Sequence, residues 1–111
     1  MEILDIVVKA MDDKLASDIK IIDFDHTSPF YDYFVIGTCL NEKMAKAIAA
    51  NIVKVARENN IEVVGVETSS NGEWTLIDLD GIVCHVFSPF ARSNYNLERL
   101  WGDLKITEAN V

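Results

Sequence analysis

The stretch from Trp74 to Phe87 constrains the fold most, because two apolar segments meet there at Asp80-Gly81. An Asp-Gly pair tolerates the positive φ angles of a two-residue hairpin turn. Such a turn sets Asp78 opposite Val83, Leu76 opposite His85 and Trp74 opposite Phe87. Side chains alternate between the faces of a strand, so Trp74, Leu76, Asp78, Val83, His85 and Phe87 share one face. Thr75, Ile77, Leu79, Ile82, Cys84 and Val86 share the other, and this almost wholly aliphatic set is core. The first set mixes large aromatics with a carboxylate and an imidazole, which a core rarely needs. A four-residue loop would keep this register, whereas a three-residue loop would slip it by one and mix the two sets.

The remaining segments supply what the hairpin packs against. Leu4, Val7, Val8, Met11 and Leu15 recur at helical spacing between Met1 and Leu15, so an amphipathic helix that buries Leu4, Val7, Val8 and Met11 is expected. Ser17-Asp18 forms a short break, and Ile19 to Phe24 a first strand. A loop from Asp25 to Phe30 leads to Tyr33–Cys39, whose unbroken apolar run predicts a buried strand. Asn41 is placed to cap a helix with Glu42 in its first turn, where the helix dipole favours negative charge. Met44, Ile48, Ile52 and Val55 form that helix's apolar stripe, and Asn59-Asn60 ends it. Ile61 to Glu67 predicts another buried strand, joined to the preceding one by a right-handed crossover between parallel strands. After Pro89, Leu97, Leu100, Trp101 and Leu104 are spaced for one helical face, with Ser93 or Asn94 as cap. Residues 105–111 are expected to form a loose tail.

The expectation is an α/β fold: one domain over residues 1–111, with three helices and a five-stranded mixed sheet in the order αββαβββα. The first two helices should cover one face of the sheet and leave the other partly open. At 111 residues the chain is one domain, expected to be long enough for a single core and too short for two. No apolar run reaches the roughly eighteen residues of a membrane span. The first residues lack the basic start and continuous apolar run of a signal peptide, so a cytoplasmic protein is expected.

Charge narrows the partners. Eighteen acidic against ten basic residues give a net charge of −8. Nucleic-acid binding rests on Lys and Arg that neutralise phosphates, so no direct grip on RNA or on an anionic membrane is expected. An acidic domain matches a basic protein partner instead, through steering rather than identity.

Few residues have a placement that suggests catalysis. Asp78 and Asp80 form an Asp-x-Asp pair at a strand end, where a nucleotidyltransferase would hold metal ions. Such enzymes also need a Gly-Ser phosphate-binding element, and the chain has no Gly-Ser dipeptide. Asp80 is already explained by the turn. His26 and His85 lie far apart in sequence without companion ligands, and Cys39 and Cys84 lie in separate strands without a Cys-x-x-Cys pair. No metal, no cofactor and no catalytic residue is expected. His85 is diagonal to Asp78 across the hairpin, within reach of a mutual hydrogen bond. Trp74, Phe87 and Tyr95, taken with Asp78, His85 and Arg92, suit a core and a protein interface equally well on residue type, since Trp, Tyr and Arg are favoured at interface hot spots.

The ordered run Trp74-x-Leu76-Ile77-Asp78, then Val83-x-His85-Val86-Phe87, then Arg92-x-x-Tyr95-x-Leu97-Glu98-x-Leu100-Trp101 resembles the ribosomal silencing factor, or Iojap-related, family. Asp32-Tyr33-Phe34-Val35-Ile36 and Ala47-Ile48-Ala49 fit the same pattern, so the resemblance covers nearly the whole chain. It implies a nucleotidyltransferase-like sheet and a non-enzymatic translational repressor. Such a repressor binds the large ribosomal subunit through its L-fourteen protein and blocks joining of the small subunit when nutrients are scarce. The motif carries the partner-binding role onto Trp74, Asp78, His85, Arg92, Tyr95, Leu97 and Glu98. Two places depart from the family: Thr68 follows Glu67 where glycine is usual, and Cys39-Leu40-Asn41 replaces a glycine- and serine-rich turn. The competing expectation is a small enzyme on the same fold. A docking face without its partner can also pair with itself, which makes a weak homodimer a third expectation.

Overall fold

The computed structural model describes residues 2–109, and its hairpin has the register set by the Asp-Gly turn. Strand β4 (Trp74–Leu79) pairs antiparallel with β5 (Ile82–Phe87), with Trp74 opposite Phe87, Leu76 opposite His85 and Asp78 opposite Val83. Gly81 adopts φ 83°, and a Cβ there would lie 2.6 Å from Asp32 Oδ2. The turn is therefore held against the start of β2 (Tyr33–Thr38), where the Asp32 amide donates to the Gly81 carbonyl over 2.7 Å.

The sheet has six strands rather than five, in the order β3-β4-β5-β2-β1-β6. Among the described residues only β2 and β5 pair in parallel. The strand β3 (Val63–Thr68) runs parallel to β2, as a crossover requires, but β4 and β5 lie between them. It is an edge strand, not the buried one expected: Val64 and Val66 are 60% and 46% exposed, and a register shift interrupts its pairing between Val63 and Gly65. Helix α2 (Glu42–Glu58) packs on β3, β4 and β5 together, which leaves the outermost strand half uncovered.

The sixth strand corrects the expectation of a loose tail. Residues Lys105–Glu108 form β6 along the free edge of β1 (Ser17–Asp23), and the Ala109 amide donates to the Ile19 carbonyl. The rest of the expected tail, residues 110–111, lies outside the described residues, as does Met1 of the first helix. The break at Ser17-Asp18 is a bulge inside β1, with Asp18 at φ 49°.

Helix α1 runs Ile3–Asp13. Leu15, placed on its apolar stripe by spacing, adopts φ 67° past the helix end and is 76% exposed. Leu4 is half-buried, while Val7, Val8 and Met11 are buried. Helices α1 and α2 cover one face, closing a core with Val35, Ile77, Leu79, Cys84 and Val86. Gly37 permits this approach, because a Cβ there would come 2.6 Å from the Met11 side chain. The Asn41 side chain caps α2 by accepting from the Met44 amide, and Asn60 at φ 58° follows its end.

The last helix is two helices. Ser88, not Ser93 or Asn94, caps α3 (Pro89–Tyr95), with Pro89 in the first turn. Asn96 at φ 44° closes α3 and caps α4 (Leu97–Leu100). These short helices and the segment after them cover much of the second face. A second core of Ile22, Phe24, Phe34, Ile36, Val83, Phe87, Ala91 and Leu97 forms beneath them, with Trp101, Leu104 and Ile106 at its margin. This corrects the expectation that only the aliphatic face of the hairpin is core. That face therefore lies open chiefly along β4, where Trp74, Leu76 and Asp78 are half-buried.

Candidate partner-docking site

Neighbouring rows of the hairpin meet different fates. On central β5, Val83, His85 and Phe87 are at most 4% exposed. On β4, one strand from the edge, the side chains opposite them keep part of their surface. The Trp74 indole packs against both Phe87, with centroids 5.0 Å apart, and Tyr95 at the end of α3, 4.7 Å away, and the latter two rings stack on each other at 6.0 Å. Tyr95 is 49% exposed. Together Trp74 and Tyr95 make a half-open aromatic ridge. It borders a shallow hollow of about 210 Å³ lined by Glu67, Thr68, Ser69, Trp74 and Leu76.

The expected bond between Asp78 and His85 is not formed. Trp74 Nε1–H donates to His85 Nδ1 over 3.1 Å instead, and Asp78 remains half-buried on its own strand. Because Nδ1 accepts, the neutral ring carries its proton on Nε2. That nitrogen is buried without a hydrogen-bond partner, and the Phe34 ring stands edge-on to the imidazole at 4.6 Å. Burial pushes the His85 pKa down to about 4 from 6.5. In the unfolded chain His85 takes up a proton below pH 6.5, while the folded domain resists until about pH 4. Stability is therefore fully present above pH 6.5 and is lost as pH falls towards 4, by about 3 kcal/mol at most. Denaturant titrations of wild type and His85→Phe across pH 4–7 check this, since carboxylates titrate in both proteins and cancel in the difference. A difference that stays flat would mean that the folded domain protonates His85 freely.

Arg92 lies inside the domain and is 8% exposed. Its guanidinium donates to Thr38 Oγ1 and to the Asp18 carbonyl, each over 2.8 Å, and its Nε pairs with Glu98 at 3.3 Å. It ties α3 and α4 to the ends of β1 and β2. Leu97 is buried in the second core, and Glu98 is half-buried against Arg92. Of the seven motif residues, Trp74, Asp78 and Tyr95 thus present surface, Glu98 presents part of its side chain, and His85, Arg92 and Leu97 stand behind them.

Leu100, expected on one apolar face with Leu97, Trp101 and Leu104, is instead 68% exposed, because α4 is a single short turn that buries only Leu97. Spacing gives no sign of two further exposed apolar side chains, Phe90 on α3 at 68% and Phe30 in the β1–β2 loop at 76%. Phe30-Tyr31 is an aromatic pair inside a polar loop, a signal that was visible in the sequence. Among the described residues, no group of three or more His, Cys, Asp or Glu side chains is arranged to hold a metal ion. Both thiols are buried, and burial pushes Cys84 up to about 12, so it carries no nucleophilic thiolate near neutral pH. No helix among the described residues is long and apolar enough to cross a membrane.

Relatives place this arrangement in a family. The family model described as "Ribosomal silencing factor during starvation" matches residues 1–111. "Ribosomal silencing factor RsfS" of Bacillus subtilis is 42% identical over 106 residues, covering 96% of this chain and 90% of the relative. A crystal structure of a Chromobacterium violaceum protein superposes with a TM-score of 0.84 at 30% identity, covering 100% of this chain and 95% of that one. The mouse "Mitochondrial assembly of ribosomal large subunit protein 1" is 28% identical over 101 residues, covering 88% of this chain and 44% of that protein. By the family-wide match and the near-full-length likeness to the Bacillus protein, this chain belongs to the ribosomal silencing factor family.

Proposed function

We propose that the protein is a translational repressor which binds the large ribosomal subunit through its L-fourteen protein. Bound there, it sterically blocks joining of the small subunit and lowers translation under nutrient limitation, acting in the cytoplasm and without catalysis. The observation that carries this reading is the half-open Trp74–Tyr95 ridge beside Leu76 and Asp78, backed by a rigid second core. Interface hot spots favour such anchors, in which large aromatics on a fixed backbone meet the partner at low entropic cost. The net charge of −8 suits a basic ribosomal protein, and the family's name ties its members to ribosome silencing. The nucleotidyltransferase-like character of the sheet belongs to this proposal as ancestry, not activity, because the chain lacks the Gly-Ser phosphate element.

Truncation of a Trp anchor costs about 2–4 kcal/mol of binding. Trp74→Ala should therefore weaken association with purified large subunits by about thirtyfold to a thousandfold, without nucleotide or metal in the assay. Its melting should remain cooperative, since half of the ridge faces outward. Undiminished binding by this variant would remove the assignment, and loss of binding together with the fold would make Trp74 a core residue.

A further inference from the structure

We infer that His85 is a positioning residue for partner docking, which acts by holding the Trp74 indole in one orientation. The proposal rests on the docking reading of the Trp74–Tyr95 ridge and goes further, by separating the residue that presents the surface from the one that aims it. His85 is 3% exposed, so it offers almost no surface to a partner. Its Nδ1 accepts the indole Nε1–H, a directional bond in an otherwise aromatic setting. The contacts of Trp74 with Phe87 and Tyr95 are tilted, at 34° and 47°, rather than in a preferred stacked or edge-to-face arrangement, so they pack the indole without fixing its direction. The hydrogen bond supplies that direction.

The other nitrogen supports this assignment. Nε2 has no hydrogen-bond partner, and an unpaired buried polar group disfavours the fold. Phenylalanine or leucine would fill the space between Phe34, Trp74 and Phe87 without that penalty. Imidazole differs from those residues by having an acceptor at Nδ1, and the group that uses it is the indole. The backbone of Trp74 is fixed independently, since its amide donates to Ser69 Oγ and its carbonyl accepts from the Ser69 amide. Main chain and ring tip are thus both anchored, and the half-open edge of the indole faces outward in a set direction.

The test compares His85→Phe, which keeps the ring shape without an acceptor, with His85→Asn, whose side-chain oxygen can occupy the place of Nδ1. The three readouts are the indole N–H resonance of Trp74 by ¹H–¹⁵N NMR, thermal melting, and binding to purified large subunits. His85→Phe should melt at or above the wild-type temperature, yet shift and broaden the indole resonance and bind about tenfold more weakly. His85→Asn should restore a sharp, slowly exchanging indole N–H and bring binding back to within about threefold of wild type. The double variant Trp74→Ala with His85→Phe should bind no more weakly than Trp74→Ala alone, as expected when one residue acts through the other. Full binding by His85→Phe beside weakened binding by Trp74→Ala overturns the positioning role and leaves the docking reading standing. Full binding by Trp74→Ala overturns the docking reading, and this proposal with it. Should the phenyl ring overpack the site, His85→Leu gives the same readouts, and unfolding of both acceptor-free variants would make His85 a fold residue and overturn the assignment.

Discussion

Val8→Asp leaves the domain unfolded at room temperature. Val8 is 6% exposed on the inner side of α1, between Val7 and Met11, in the core that α1 and α2 close over the sheet. The lysines nearest in sequence cannot follow a carboxylate into that core, because Lys9 and Lys14 are exposed and Lys9 is already bonded to Asp13. An uncompensated buried charge costs several kcal/mol, against the roughly 5–15 kcal/mol that holds a small domain together. Nor can α1 simply lift away, since the Asn51 side chain donates to the Ala10 carbonyl and Met11 sits over Gly37. Val8→Ala separates charge from volume: it removes two methyl groups and should cost about 2 kcal/mol with the fold intact. Circular dichroism and urea titration of the two variants decide the point. A native-like melting curve for Val8→Asp would show that α1 is not docked as described.

The parts of this fold that could be read from sequence are those where two local signals agree. Alternation and the Asp80-Gly81 turn both specify one register, so the division of Ile77, Leu79, Cys84 and Val86 to one face and Val83 and Phe87 to the other agrees with the structure. The burial of Val83, His85 and Phe87 in a core of their own, by contrast, runs against the expectation for that face. For α2, the Asn41 cap, the apolar stripe and the Asn59-Asn60 stop pointed to the same helix. Where a segment takes its structure from a distant neighbour, local signals were silent. The residues Lys105–Glu108 have no strong strand pattern, and they become β6 because β1 offers a free edge. The exposure of β3 likewise depends on where α2 settles.

The site divides along the same line. Its residue types were visible, but not their depth. An Arg in a motif with Trp and Tyr suggests an anchor, and nothing local shows that its partners are Thr38 and Asp18, 54 and 74 positions away. For His85 the carboxylate on one diagonal looked like the partner, yet the indole on the opposite diagonal takes the bond. Distance in sequence hid the partners of Arg92, whereas for His85 two diagonal neighbours in one hairpin competed and local pattern could not rank them.

Arg92→Met should lower the melting temperature by roughly 10–20 °C, from a loss of about 3 kcal/mol. The guanidinium is a three-way strut. One arm holds the hydroxyl of Thr38 at the end of β2, another the Asp18 carbonyl in the β1 bulge, and its Nε holds Glu98 on α4. Removal of one member of a buried ion pair costs about 3–5 kcal/mol because the other is left unpaired. The Glu98 side chain keeps 23% of its surface and can turn towards water, which puts the expected loss at the low end. Arg92→Lys should recover little, since an ammonium on a flexible stem cannot serve three directions at once. The double variant Arg92→Met with Glu98→Leu should be more stable than Arg92→Met alone, because the carboxylate left without its partner is gone as well. In the docking assay, Arg92→Met should weaken binding through Tyr95, whose place on Trp74 depends on how α3 is held. A melting temperature within two or three degrees of wild type would mean that the second core alone fixes α3 and α4. Arg92 would then be free to act at the surface, as its place in the motif suggests.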